Sequence, residues 1–256
     1  MSNALDSAPK RGKLCQVADL VSARKCKGLP DYPLPVYRAA GAVVNGFPVI
    51  CGGKKNVLNV IVKECYIHER TPDNKWRLLD KLKTERSDHA SIELLGKLWV
   101  TGGSNKYGET LSSTEFVSTT GVVVRGPDLP QKTVKHCMAK LMDGKVMILG
   151  GRWYGRSVLI YDPEMGTFTD GPKMISERET AACTVFNSLM HGGRSVVMIV
   201  GHLKTTEILD YTIKNAIWEK SNYLHFTCIL SYFTMYIISR QIAFGKLCLN
   251  KFEQAR

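Results

Sequence analysis

Four times in this chain of 256 residues a short apolar run ends in a glycine joint, and the four joints fall at one period. The clearest copy is Asp143-Gly144-Lys145-Val146-Met147-Ile148-Leu149-Gly150-Gly151. Asp-Gly suits a tight hairpin turn because it accepts positive φ. Val146 to Leu149 has the length and apolar character of a strand. A glycine pair after a strand lets the backbone pass a neighbour where a Cβ would collide. Asn45 to Gly53 and Leu95 to Gly103 have the same form, and in all three copies six positions separate the turn glycine from the first of the pair. Ser195 to His202 is a worn copy, with Gly201 kept and His202 in place of the second glycine. The joints begin at 52, 102, 150 and 201, so the spacings are 50, 48 and 51. Repetition at this length is the signature of propeller blades.

Each unit divides into four strand-like pieces. The first precedes the turn and opens on small residues: 39–44, 90–95, 138–142 and 181–186. The second runs into the glycine joint. The third follows a loop of variable length: 64–67, 114–118, 158–162 and 206–210. The fourth surrounds Trp76, Val122 to Val124, Phe168 and Trp218. No long helical period interrupts these pieces, and turn signals recur at short intervals. The expectation is an all-β, up-and-down architecture of about four four-stranded blades.

On either side of the repeats the composition changes. Residues 1–35 form a basic leader (Lys10, Arg11, Lys13, Arg24, Lys25, Lys27) that runs into the connector Leu29-Pro30-Asp31-Tyr32-Pro33-Leu34-Pro35. Proline at this density excludes a central strand or helix. Related connectors return at Gly126-Pro127-Asp128-Leu129-Pro130 and Gly171-Pro172-Lys173-Met174. Residues 36–221 carry the repeats. Residues 222–256 depart from them: 223–238 is a hydrophobic run of 16 residues with no turn or glycine pair. Three readings stand for it: a membrane tether, a helix or strand pair buried against the open flank of the propeller, and a tail that is not native to the fold. The run falls short of the roughly 20 residues a membrane span needs.

The net charge of +12 favours acidic partners. The eight cysteines form no Cys-x-x-Cys pair, and Cys51, Cys137 and Cys183 fall inside apolar strands, where buried reduced thiols are the expectation. No signal-peptide core and no Asn-x-Ser/Thr acceptor occur, which points to the cytoplasm. Gly-x-Ser-x-Gly, the P-loop, the dinucleotide fingerprint and His-Glu-x-x-His are all lacking. No cofactor, metal site or catalytic residue is assigned. His89 beside Asp88 reads as a packing histidine. Glu64, Glu115 and Glu207 recur at one repeat position and read as blade-structuring residues. The aromatic residues share the blade period, so core packing accounts for them better than a nucleic-acid stacking platform.

These residues resemble the Kelch repeat family, whose motif has a di-glycine after the second strand, a tyrosine in the third and a tryptophan in the fourth. Copy one matches at Gly52-Gly53, Tyr66 and Trp76. Copy two has Gly102-Gly103 but Val117 at the tyrosine position and no tryptophan. Copy three has Gly150-Gly151, Tyr161 and Phe168, and copy four has Gly201, Leu209 and Trp218. The resemblance spans about 185 residues. It implies a β-propeller. Since family members usually have about six blades, it also implies a ring that these four do not complete. It implies a non-enzymatic protein-binding module. Many members are substrate-recognition parts of cullin-RING ubiquitin ligases and others bind actin. The adaptor members carry BTB and BACK domains, for which residues 1–35 are too short. Some Kelch-like propellers are oxidases or isomerases, and that is the alternative.

The copies diverge just past the joint. The loop there reads Lys54-Lys55-Asn56, then Ser104-Asn105-Lys106-Tyr107-Gly108, then Arg152-Trp153-Tyr154-Gly155-Arg156, then Leu203-Lys204. The loops before strand one add Arg38, Arg86, Lys135 and Arg178. In a propeller these segments gather on one rim. A rim of Arg, Lys, Tyr and Trp has the composition of a protein-binding hot spot. The expected partner-binding residues are Arg38, Lys54, Lys55, Arg86, Asn105, Tyr107, Arg152, Trp153, Tyr154, Arg156 and Arg178. The expected ligand is an acidic motif, because arginine pairs well with carboxylates.

Overall fold

The computed structural model describes residues 30–55, 60–69, 71–201 and 203–221. Most of the basic leader and the whole hydrophobic tail lie outside the described residues. Blade one comprises β1 (Val36–Tyr37), β2 (Ala40–Val44), β3 (Phe47–Cys51), β4 (Lys54–Lys55), β5 (Glu64–His68) and β6 (Trp76–Lys81). Blade two follows with β7 (Ala90–Leu94), β8 (Lys97–Thr101), β9 (Thr114–Val117) and β10 (Val123–Arg125). Blade three has β11 (Cys137–Lys140), β12 (Val146–Leu149), β13 (Val158–Asp162) and β14 (Thr167–Asp170). Blade four has β15 (Ala182–Ser188), β16 (Arg194–Gly201), β17 (Leu203–Leu209) and β18 (Glu219–Ser221), with a 3-10 turn at Leu189–His191. Each blade is a four-stranded antiparallel meander, and β1 pairs with β4 as a small extra ribbon on blade one. The propeller-type, all-β architecture read from the repeats is the architecture found.

The blades stack through their apolar faces. Val49, Cys51, Cys65 and Ile67 of blade one meet Leu98, Val100 and Val117 of blade two. The other side of blade two presents Trp99 and Phe116 to Ile148, Leu159 and Tyr161 of blade three. Met147, Leu149 and Val158 of blade three meet Val197, Ile199 and Leu209 of blade four. The second strands of the two inner blades, β8 and β12, are therefore buried on both sides, which is why β12 reads as an unbroken apolar run.

The glycine joints mark the place where one blade touches the linker to the next. Gly53 N–H donates to the Arg86 carbonyl at 2.9 Å, Gly103 to Thr133 at 2.9 Å and Gly151 to Arg178 at 2.7 Å. A Cβ on Gly52 would lie 2.6 Å from the Arg86 carbonyl oxygen, and one on Gly102 would lie 2.6 Å from that of Thr133. The same collision awaits a Cβ on Gly150, whose φ is +62°. Two residues after each linker carbonyl comes a residue at positive φ: Asp88 (54°), Lys135 (61°) and Thr180 (59°), with Arg38 (57°) preceding blade one. These four are joined in a chain of backbone bonds, Asp88 N–H to Arg38 O, Lys135 N–H to Asp88 O and Thr180 N–H to Lys135 O, at 2.8–3.0 Å. Arg86, Thr133 and Arg178 are thus one register position, and Val36 is its counterpart before blade one.

The proline connectors are the same kind of linker. Trp76 Nε1–H donates to the Pro30 carbonyl at 2.9 Å, and Trp218 Nε1–H to Pro172 at 2.8 Å, both across 46 residues. Tyr32 packs edge-on to Tyr66 and Trp76, so the segment from Pro30 covers blade one as the segment from Pro172 covers blade four.

Two expectations are corrected. Cys51, Cys137 and Cys183 are not reduced thiols: Cys51 is bonded to Cys65, opposite it on β3 and β5, and Cys137 to Cys183, which joins the first strands of blades three and four. Nothing in the spacings of 14 and 46 residues signals either pairing; the cross-strand and cross-blade register creates them. Strand pairing also shifts the third-strand aromatic of blade one. Tyr161 lies opposite Phe168, and the residue opposite Trp76 is His68, not Tyr66. A bulge between Cys65 and Tyr66 moves the register.

Candidate partner-binding rim

Because the strands alternate in direction, the loops between strands two and three and the linkers between blades emerge on one side. The structure sorts the expected rim residues into two groups. Arg86 and Arg178 belong inside the protein. The Arg178 guanidinium donates to the Gly201 carbonyl at 2.9 Å, the Thr205 carbonyl at 2.7 Å, Thr205 Oγ1 at 3.0 Å and Glu207 Oε1 at 2.7 Å. Arg86 repeats the set with Gly102 O, Ser113 O, Ser113 Oγ and Glu115 Oε1. Both arginine side chains are fully buried. The carboxylates complete the clamp: Glu115 accepts from Lys83 and Thr84 N–H, and Glu207 from Ile175 and Ser176 N–H. Each pair therefore ties a glycine joint, a third strand and an incoming linker together. Burial pushes the Arg86 pKa down, partly offset by Glu115. Blade three replaces both partners at once, with Thr133 and Leu159 at the register of arginine and glutamate. Glu64, grouped with Glu115 and Glu207 by sequence, is different: it is half-exposed and faces Lys81 at 3.9 Å.

Asn105 and Tyr154 are also structural. Asn105 Oδ1 accepts from Tyr107 and Glu109 N–H at 3.0 Å and its Nδ2–H donates to Glu109, which shapes the loop of blade two. Tyr154 Oη donates to the Gln131 carbonyl and accepts from Gln131 N–H, so it pins the loop of blade three to the preceding linker. Sequence reasoning missed these roles because a buried loop tyrosine and an exposed one look alike in a sequence.

The second group faces solvent. Trp153 is 50% exposed, yet its indole N–H donates to Thr110 Oγ1 at 3.2 Å and its carbonyl accepts from Gln131 Nε2. Lys132 Nζ stands 5.5 Å from its ring centroid. Tyr107 is exposed, with Lys106 Nζ 5.0 Å from its ring. Arg152 reaches Glu179 at 3.4 Å, and Lys135 reaches the same carboxylate at 2.7 Å. Arg38 pairs with Asp88 at 3.1 Å, and Lys54 and Lys55 are half-buried in the ribbon with β1. Arg156 is exposed but its Nε–H is committed to the Met174 carbonyl at 2.7 Å. Burial pushes the Asp88 carboxyl up, and Arg38, Lys135 and Lys54 oppose that rise. Arg38, Lys54, Lys135 and Arg152 thus gather about two carboxylates, Asp88 and Glu179. Lys135, read from the sequence as a rim cation, stands here, whereas Lys132, Asp88 and Glu179 are parts of the rim that the sequence reading lacked. The regular spacing of the linkers is the signal that could have found them.

Two histidines lie beneath this surface. His89 and His136 hold one register position in blades two and three, where blades one and four have Ala39 and Ala181. His136 Nε2 is 2.8 Å from Thr101 Oγ1. Burial pushes both imidazole pKa values down to about 3, so both rings are neutral at pH 7. Among the described residues no group of three or more His, Cys, Asp or Glu side chains is placed to hold a metal ion.

No family model matches the chain. Over 152 residues, 57% of its length, the chain is 27% identical to an F-box/kelch-repeat protein of Arabidopsis thaliana, and it spans 40% of the length of that relative. Among solved structures it is similar to that of YjhT, with a TM-score of 0.60 and 19% identity over 75% of this chain and 66% of the other. The first supports the kind of repeat, and the second supports the fold alone.

Proposed function

We propose that this chain of Kelch-type repeats is a non-enzymatic protein-binding module whose partner presents an acidic motif to the rim. The observation that carries the reading is Trp153, half-exposed, whose indole N–H donates to Thr110 Oγ1 and whose backbone carbonyl accepts from Gln131, with Lys132 against its ring and Arg152 beside it in the chain. A large aromatic fixed before binding loses little side-chain entropy on contact, which is the property of a hot-spot anchor. The surrounding cations Arg38, Lys54, Lys135 and Arg152 outnumber Asp88 and Glu179, so a carboxylate arriving at the rim meets an unspent positive field. Substrate recognition alongside cullin-RING ligases, and actin binding, are extensions of the same surface to particular partners.

Selection from a random peptide library on immobilised full-length protein tests the reading. Peptides enriched in Asp and Glu are expected, with binding lost on Arg152→Glu combined with Trp153→Ala and with Tm unchanged. Selected peptides that lack acidic residues, or that bind the variant as well as the wild type, refute it. Co-purification with a cullin decides whether the ligase extension applies.

A further inference from the structure

The two disulfides differ in their surroundings. Cys51 and Cys65 are fully buried in the core between blades one and two. Cys137 and Cys183 are half-buried, on strands β11 and β15, which are edge strands of their sheets and lie side by side. Thiol exchange needs an open path to one of the sulfurs, so a soluble reductant reaches the second bond before the first. Register shows that the second bond is particular to one interface. The second glycines of the joints pack on Ala39, His89 and His136, and Gly201 packs on Ala181. Cys137 therefore stands where the other blades have Ala40, Ala90 and Ala182, and Cys183 where they have Gly41, Ser91 and Met138. Among the described residues, blades three and four alone are joined covalently.

The bond sits at the rim end of both strands, beside the charged cluster. Cys137 follows closely on Lys135, and Cys183 on Glu179. Lys135 and Arg152 hold the Glu179 carboxylate at 2.7 and 3.4 Å, and Thr180 N–H donates to the Lys135 carbonyl at 2.9 Å. Glu179 thus occupies two cations that an incoming carboxylate would seek. Surface ion pairs and edge hydrogen bonds open locally on their own. A covalent tie between the strands below them keeps the separated groups close, so Glu179 returns at a high effective concentration.

We propose that Cys137–Cys183 is a reversible thiol latch that, while closed, keeps Glu179 on Lys135 and Arg152 in competition with an acidic ligand. The effect on ligand binding rests on the rim being a surface for acidic motifs. Opening takes a dithiol. One of its thiolates attacks Cys137 or Cys183 Sγ, the protein S–S bond breaks and a mixed disulfide forms. The second thiol then displaces the protein sulfur, so the reductant gives up two electrons and two protons and the protein gains two thiols. A disulfide oxidant closes the latch by the reverse steps.

Full-length protein treated with graded dithiothreitol without denaturant, alkylated with iodoacetamide and mapped by mass spectrometry tests the first part. Cys137 and Cys183 are expected to label at dithiothreitol concentrations about tenfold below those that open Cys51–Cys65. On reduction the Thr180 amide is expected to exchange its hydrogen about tenfold faster by NMR, with the Gly53 and Asp88 amides unchanged. An acidic peptide selected on the protein is expected to bind the reduced form about three- to fivefold tighter. Glu179→Gln should bind it equally in both states, and Cys137→Ser/Cys183→Ser should behave as reduced with or without dithiothreitol. If that double variant does not fold, wild type reduced and alkylated at these two cysteines replaces it. A bond that opens no sooner than Cys51–Cys65, Thr180 exchange indifferent to reduction, or peptide binding that does not tighten overturns the proposal. Absence of acidic-peptide binding in both forms refutes the rim reading instead, and Thr180 exchange then decides the latch alone.

Discussion

Blade three shows how to remove the buried ion pair from blade four. Its register carries Thr133 and Leu159 where blade four has Arg178 and Glu207. Arg178→Thr alone takes away four hydrogen bonds and leaves Glu207 buried with only the Ile175 and Ser176 N–H groups as partners. Breaking a fully buried pair at one end costs about 3–5 kcal/mol, because the remaining charge is uncompensated. The carbonyls of Gly201 and Thr205 also lose a donor, at about 1 kcal/mol each when no water replaces it. A loss near the top of that range is therefore expected. Glu207→Leu alone strands the guanidinium and costs a similar amount. The double variant Arg178→Thr/Glu207→Leu removes both charges and adopts the solution blade three already uses. Its expected loss is about 4 kcal/mol, from the two uncapped linker amides and the two carbonyls that lose a donor, and falls well short of the sum of the two single losses. Urea unfolding of the four proteins, followed by tryptophan fluorescence, gives the cycle and its coupling energy. A double variant as unstable as the two single losses combined would refute the claim that the pair works as a unit.

Acid should weaken the propeller before its carboxylates titrate. His89 and His136 have pKa values lowered to about 3, so the unfolded chain binds more protons below pH 6.5 and stability falls as pH drops through that range. Between pH 6.5 and 5.0 the loss is about 2 kcal/mol per histidine, and urea titrations at the two pH values of wild type and His136→Gln should differ in slope by about one proton. Gly150→Val places a branched side chain at a φ of +62° and drives its Cβ into the Arg178 carbonyl, so a Tm lower by many degrees is expected from calorimetry. Trp218→Phe loses the bond to Pro172 and should cost about 1 kcal/mol, a difference readable in the urea midpoint.

The architecture was legible because its cause is local and repeated. The glycine joint needs a positive φ and an absent Cβ, and both requirements show in the residue type at Gly52, Gly102 and Gly150. The buried arginines were not legible. Arg86 and Arg178 sit in loops rich in charge, and only the position of Glu115 and Glu207 across the blade turns them inward. Their alternation with Thr133 and Leu159 was present in the chain, but the loops differ in length, and without hydrogen bonds to align them the positions do not register. Disulfide pairing and the role of His68 were hidden for the same reason, since both depend on which residues face each other across strands. Within the rim, Trp153 was visible by type and Tyr154 was misplaced by it. The difference between them lies in a single side-chain direction.

The bonds from Trp76 to Pro30 and from Trp218 to Pro172 define a module whose boundary is not that of a sheet. A blade excised from its first strand to its last would leave its cover behind on the neighbour. The transferable segment begins at the proline connector, about ten residues upstream of the first strand, and a graft cut there would carry its indole partner with it. Duplication or exchange of such segments within a gene would keep a Trp76- or Trp218-type indole with its acceptor, whereas a breakpoint between connector and sheet would separate the two. The connector is thus the natural seam along which chains of this construction can gain or lose a unit.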